Sequence, residues 1–190
     1  IKPIVKTPRI DMTPMVDLFA LLLVFFVLTA SFRPTEAAQI DSPNSVSEKQ
    51  APDFNLMTLY INEEGQIFFN IDNGADSTTK YRQQILQKMA DEFHLEFTEE
   101  EYDLFGRLSS FGMPLKDLKK WINAKNSEEA ELLQVGMPRD SSDLELKYWI
   151  YFSRNINPRA EVALKGDAES DYVIVKEVMD LLQENKVNKF

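Results

Sequence analysis

The 190 residues contain no cysteine and a single histidine, His94. Disulfide frameworks are excluded, and a zinc set of the usual Cys/His kind has no second member. A lone imidazole gives a Ser-His-Asp hydrolase weak support. There is no phosphate loop, no G-x-G-x-x-G turn and no G-x-S-x-G elbow. The chain therefore offers no catalytic set, no metal ligands and no cofactor motif. Positive charge is also short: 21 Lys and Arg face 31 Asp and Glu, for a net charge of −10. Nucleic-acid binding needs basic patches, so that class is set aside. The imbalance is uneven. Residues 1–32 stand at +1, with Lys2, Lys6 and Arg9 against Asp11 and Asp17, and the remainder at −11.

Long apolar runs are scarce too, with one exception. A mean hydropathy of −0.31 is that of a soluble chain. Against it stands MVDLFALLLVFFVLTASF, from Met15 to Phe32. As a helix these 18 residues would span about 27 Å, close to the hydrocarbon thickness of a bilayer. The predicted transmembrane helix covers residues 13–32, with Thr13 as N-cap and Pro14 at the first helical position. Asp17 is the one charge inside it. An ionised carboxylate in lipid is costly, so Asp17 is read as a proton carrier across the membrane. On a helical wheel it shares a stripe with Ala20, Leu21, Val24, Leu28 and Ser31, which is expected to face partner helices. Basic residues cluster before the helix, and only Arg33 closely follows it. The positive-inside rule then makes residues 1–12 a cytoplasmic tail and places the rest on the far side.

Three plainer readings compete. A cleaved signal peptide would want an apolar residue where Asp17 sits. A helix buried in a soluble core would show one wet face, whereas this run is apolar all round apart from Asp17. A passive anchor would need Asp17 to snorkel to the interface, and aspartate is short for that.

The stretch IDMTPMVDLFALLLVFFVLTASF resembles the N-terminal helix of the ExbD/TolR proteins, the small subunits of proton-driven inner-membrane motors. Their pattern is Thr-Pro, two residues, then an Asp opening a single apolar helix, and Thr13-Pro14-Met15-Val16-Asp17 fits it in place. The segment AEVALKGDAESDYVIVKEVMDLLQENKVNKF is similar to that family's closing strand, turn and helix. The resemblance implies that Asp17 is the protonatable residue, with protons rather than a cofactor as the working species. It implies a dimer of this helix inside an ExbB/TolQ-like multi-helix channel oligomer in the bacterial inner membrane. It also implies a periplasmic domain that passes motion to a TonB- or TolA-like protein. The expected function is conversion of proton motive force into mechanical work for TonB-dependent transport. The alternatives are a TolR-like envelope-maintenance subunit and a membrane-tethered periplasmic scaffold that binds cell wall.

Residues 33–53 hold three prolines among small polar residues and no apolar period, which predicts a flexible periplasmic linker. Residues 54–190 predict a two-layer α+β domain. NLMTLYI and QIFFNI flank Asn62-Glu63-Glu64-Gly65 and predict a β-hairpin. A helical insert is expected over about 75–136. Its first helix would be capped by Thr78 or Thr79 and run to about Glu92. A second would open on a Thr98–Glu101 capping box, and shorter ones would follow at 115–122 and 127–134. His94 reads as a solvated or packed side chain, and Trp121 as core or as a binding anchor. Ser141 or Ser142 should cap a helix to about Asn155. Then come a strand at 161–165, a helix capped by Ser170 or Asp171, and a last strand from about Val187. The 143–155 helix and the last helix are expected on one face of the sheet.

Overall fold

The computed structural model describes residues 12–29, 55–73, 78–108, 110–138 and 145–190. It divides into two units, Ile1–Pro34 and Thr35–Phe190. The predicted tail before Met12, the linker and Ser31 of the stripe lie outside the described residues.

In the first unit, helix α1 runs Thr13–Thr29. The Met12 carbonyl accepts from the Met15 and Val16 N–H groups, both at 3.1 Å. Thr13 is thus the first helical residue rather than the cap, and Pro14 the second. The shift is harmless to Pro14, because no first-turn N–H has an intrahelical partner. At the other end the Thr29 hydroxyl donates to the Phe25 carbonyl at 2.8 Å, so this polar group is satisfied within the helix.

In the second unit, β1 (Leu56–Ile61) and β2 (Ile67–Ile71) form the expected hairpin, paired from Met57↔Ile71 to Ile61↔Ile67. Gly65 takes φ 74, and the Asn62 side chain accepts from the Gln66 N–H at 2.7 Å. Helices α2 (Tyr81–Phe93), α3 (Glu99–Arg107), α4 (Leu115–Ile122), α5 (Ser127–Leu132) and α6 (Glu145–Ile156) follow. Strand β3 (Glu161–Gly166) then pairs parallel with β1, giving the order β2-β1-β3, and α7 (Tyr172–Glu184) follows it. Parallel pairing requires a long crossover, which the helices between β2 and β3 supply.

The core follows the period of two. Met57, Leu59 and Ile61 of β1 align with Ile67, Phe69 and Ile71 of β2 and with Val162 of β3. They join Ile85, Leu86 and Met89 of α2, Trp149 and Ile150 of α6, and Val178 and Leu182 of α7 in one cluster. Each such aliphatic or Phe side chain contributes about 1.5–3 kcal/mol by leaving water. An exposed Lys147–Glu184 ion pair at 3.2 Å joins the first turn of α6 to the end of α7.

The helical insert is not a separate lobe. Phe69 exchanges two main-chain hydrogen bonds with Phe111, at 2.7 and 2.9 Å, and the Met137 N–H donates to the Ile67 carbonyl at 2.8 Å. The connectors flanking α4 and α5 thus cover the outer edge of β2, which would otherwise present unpaired groups. Helix α2 belongs to the main helical layer, packed on α6. Pro114 cannot cap α4 with its side chain, and the Glu145 carboxylate from α6 accepts the Leu115 N–H instead, at 2.7 Å.

Other local expectations shift. The residue that precedes α2 is Lys80 rather than Thr78 or Thr79; it is left-handed at φ 47 and makes no side-chain cap bond. Helix α5 starts at Ser127 as expected, where Asn126 Oδ1 accepts from the Glu129 N–H at 2.8 Å, and it ends at Leu132 rather than Gln134. Ser141 and Ser142 lie outside the described residues. Among the described residues there is no strand at Val187. Lys186 is left-handed at φ 61, its N–H donates to the Gln183 carbonyl, and the Val187 N–H donates to the Leu182 carbonyl. This is a Schellman cap with Val187 buried beside Leu182, so an apolar residue that resembled the start of a strand serves to stop a helix.

Candidate functional site

The first site is α1 itself. Its 17 residues carry one ionisable side chain, Asp17, one turn in from the start. Asp17, Ala20, Leu21, Val24 and Leu28 are spaced at i, i+3, i+4, i+7 and i+11, so the helix does bring the predicted stripe to one face. No residue of α1 is buried, and Leu28 is 80% exposed. An apolar surface on every side of a helix has to be covered by lipid or by other helices. Among the described residues Asp17 has no hydrogen-bond or ion-pair partner.

The second site was invisible in the sequence. Arg82, on the first turn of α2, is 3% exposed. Its Nε donates to the Phe105 carbonyl at 3.2 Å, and Nη1 donates to Asn70 Oδ1 and the Ile71 carbonyl, both at 3.1 Å. The guanidinium lies 4.8 Å from the centre of the Phe105 ring. Burial lowers its pKa to about 10, against the opposing pull of the Asp72 carboxylate, so it stays cationic at neutral pH. It fastens the end of β2, the start of α2 and the end of α3 together. Nothing local marks Arg82 in the sequence, because its acceptors are 11 to 23 positions away.

A second carboxylate ties α3 to α4. The predicted capping box forms, with the Thr98 N–H donating to Glu101 Oε2 at 2.8 Å. The other oxygen, Oε1, accepts from Asn123 Nδ2 at 2.7 Å, and Lys119 Nζ stands 3.5 Å from Oε2. Burial alone would raise the Glu101 pKa. The bonds from Thr98 and Asn123 and the charge of Lys119 outweigh it, and the net shift is downward. The Glu99-Glu100-Glu101 run is therefore a helix start. No group of His, Asp and Glu suited to a metal ion occurs among the described residues. His94 sits in the left-handed conformation at φ 55 where α2 ends, a capping role. Trp121 is buried, 6.2 Å from Phe111, which decides for core over anchor.

A sequence profile described as "Biopolymer transport protein ExbD/TolR" matches residues 5–190. The chain belongs to the ExbD/TolR family. No curated protein and no solved structure gives a significant match. ExbD/TolR members are membrane-associated energy-transduction subunits of biopolymer transport, and they work with ExbB/TolQ and TonB/TolA-like partners. The match runs through the helical insert. Among the described residues no helix is long and apolar enough to cross a membrane. Helix α1 accounts for 13–29 of the predicted 13–32 span, and residues 30–32 lie outside the described part.

Proposed function

We propose that this ExbD/TolR subunit is an ExbD-like part of a proton channel and motor that drives TonB-dependent transport across the outer membrane. On this reading residues 13–32 span the inner membrane once, with the N-terminus cytoplasmic and residues 54–190 in the periplasm at the end of the 33–53 linker. The observation that carries the reading is the single carboxylate in an otherwise apolar helix with no wet face. Protonated, Asp17 is neutral and tolerated among apolar groups. Ionised, it demands water or a polar neighbour. Taking up the proton from one side and releasing it to the other makes the helix alternate between two preferred surroundings. Each unit charge crossing 100 mV is worth ~2.3 kcal/mol, enough to bias which surrounding is occupied.

The stripe of Ala20, Leu21, Val24 and Leu28 supports a protein-facing side, with the small Ala20 next to Asp17 allowing a close approach. The partners are an ExbB/TolQ-like channel oligomer, a second copy of the same helix, and a TonB- or TolA-like protein receiving the motion. The test is Asp17→Asn in cells that depend on the subunit. The variant should accumulate and assemble at wild-type levels while transport falls at least a hundredfold. Full transport with Asn at position 17 would remove the proton-carrier role.

A further inference from the structure

Asn55 is the first described residue of the second unit and stands immediately before β1. Asn55 is held left-handed at φ 58, a conformation that asparagine tolerates better than most residues. Three elements grip it. Its N–H donates to Asp72 Oδ2 at 2.7 Å, just past the end of β2. Its carbonyl accepts from the Glu161 N–H at 2.8 Å, the first residue of β3. Its side-chain oxygen accepts from Asn157 Nδ2 at 3.0 Å, just past the end of α6 and 102 positions away. Asn157 is 7% exposed, so this last bond is shielded from water. The Asp72 N–H closes the arrangement on the Leu56 carbonyl at 2.9 Å.

We propose that this Asn55–Asp72–Asn157–Glu161 junction is a mechanical clamp through which a pull on the tether enters the fold. Without it, tension on residue 54 would fall first on the end of β1 and open the sheet one hydrogen bond at a time. With it, the same tension is shared at once by β2, β3 and α6 instead of falling on one end bond of β1 alone. Asn55 is a positioning residue for energy transfer and takes no part in moving protons. The clamp rests on the motor reading for its purpose, since a motor subunit is what would put tension on the tether.

The experiment is single-molecule pulling on the full chain in detergent micelles. The chain has no cysteine, so introduced pairs give unique handles. One pair, Gln50→Cys with Asn188→Cys, loads the tether. The other, Glu64→Cys with Asn188→Cys, loads the exposed hairpin tip at the opposite end of β1. Adding Asn157→Ala should raise the unfolding rate at fixed load at least tenfold through residue 50 and less than threefold through residue 64. Asn55→Gly, which keeps the left-handed backbone and both main-chain bonds, should give an intermediate rise through residue 50. Equal acceleration in both geometries would show that these bonds merely stabilise the fold, and no acceleration would show that they bear no load. Either result overturns the clamp. Activity of Asp17→Asn alongside a confirmed difference between the two geometries would leave the clamp standing and remove the motor.

Discussion

Replacing Arg82 by Met asks how much a buried cation costs and holds at once. Methionine matches the arginine stem as far as Nε and lacks the outer atoms of the guanidinium, so the apolar part of the packing is kept. Lowering the guanidinium pKa from its ordinary value to about 10 means that charging it in place costs about 3 kcal/mol relative to the unfolded chain. The sign follows from the direction. A base with a depressed folded pKa is penalised wherever it is charged, so below pH 10 the penalty is present in full, and methionine relieves it. Against that relief stand the acceptors that Arg82 serves: the Ile71 carbonyl and Asn70 Oδ1, which lose this donor, and the Phe105 carbonyl, which keeps the Leu108 N–H at 3.3 Å. Each buried acceptor left without a donor costs about 1–3 kcal/mol, and Asp72 loses a nearby cation. The losses exceed the gain, and Arg82→Met should lose about 3 kcal/mol of stability. Arg82→Lys should lose about 2 kcal/mol, since one ammonium cannot reproduce the planar fork. Urea unfolding of the full chain in detergent, followed by tryptophan fluorescence, measures this directly. Trp149 lies 6.0 Å from the Phe105 ring that Arg82 covers, so the reporter sits on the site. Adding Asp72→Asn to Arg82→Met should restore about 1 kcal/mol, the coupling of the two charges. A midpoint for Arg82→Met within error of wild type would refute the reasoning, because the orphaned acceptors would then carry no penalty.

Three further outcomes are expected. Glu101→Gln should lower stability at neutral pH by about 1 kcal/mol. Because the folded Glu101 pKa is depressed, its contribution is present above the ordinary glutamate range and disappears as pH falls through the lowered value; the gap between wild type and variant should close in acid melts. Gly112→Ala would place a methyl against the Phe68 ring and 2.8 Å from the Ile67 carbonyl oxygen. It should cost about 1–3 kcal/mol in the same urea titration, since backbone has to move. Lys186→Gly relieves a left-handed lysine at the end of α7 and should raise the melting midpoint, by up to about 1 kcal/mol of stability; an unchanged or lower midpoint would show that the Schellman geometry carries no strain.

Legible in the sequence are the features whose causes lie within a few residues of one another. The lone carboxylate in an apolar run marks α1 because composition alone dictates that such a helix cannot face water. The Thr98–Glu101 box, the Gly65 turn and the Asp171 cap of α7 are signals three or four residues long, and all three form. Long-range packing settled the rest, because the deciding contacts lie far apart along the chain. The parallel pairing of β1 with β3, the covering of β2 by Phe111 and Met137, and the burial of Arg82 have no local signature. The same holds for Asn55, read as the first residue of the strand run NLMTLYI until Asn157 is brought beside it. Val187 shows the boundary between the two most plainly: one apolar residue after a helix serves a strand or a cap equally well, and only burial against Leu182 chooses.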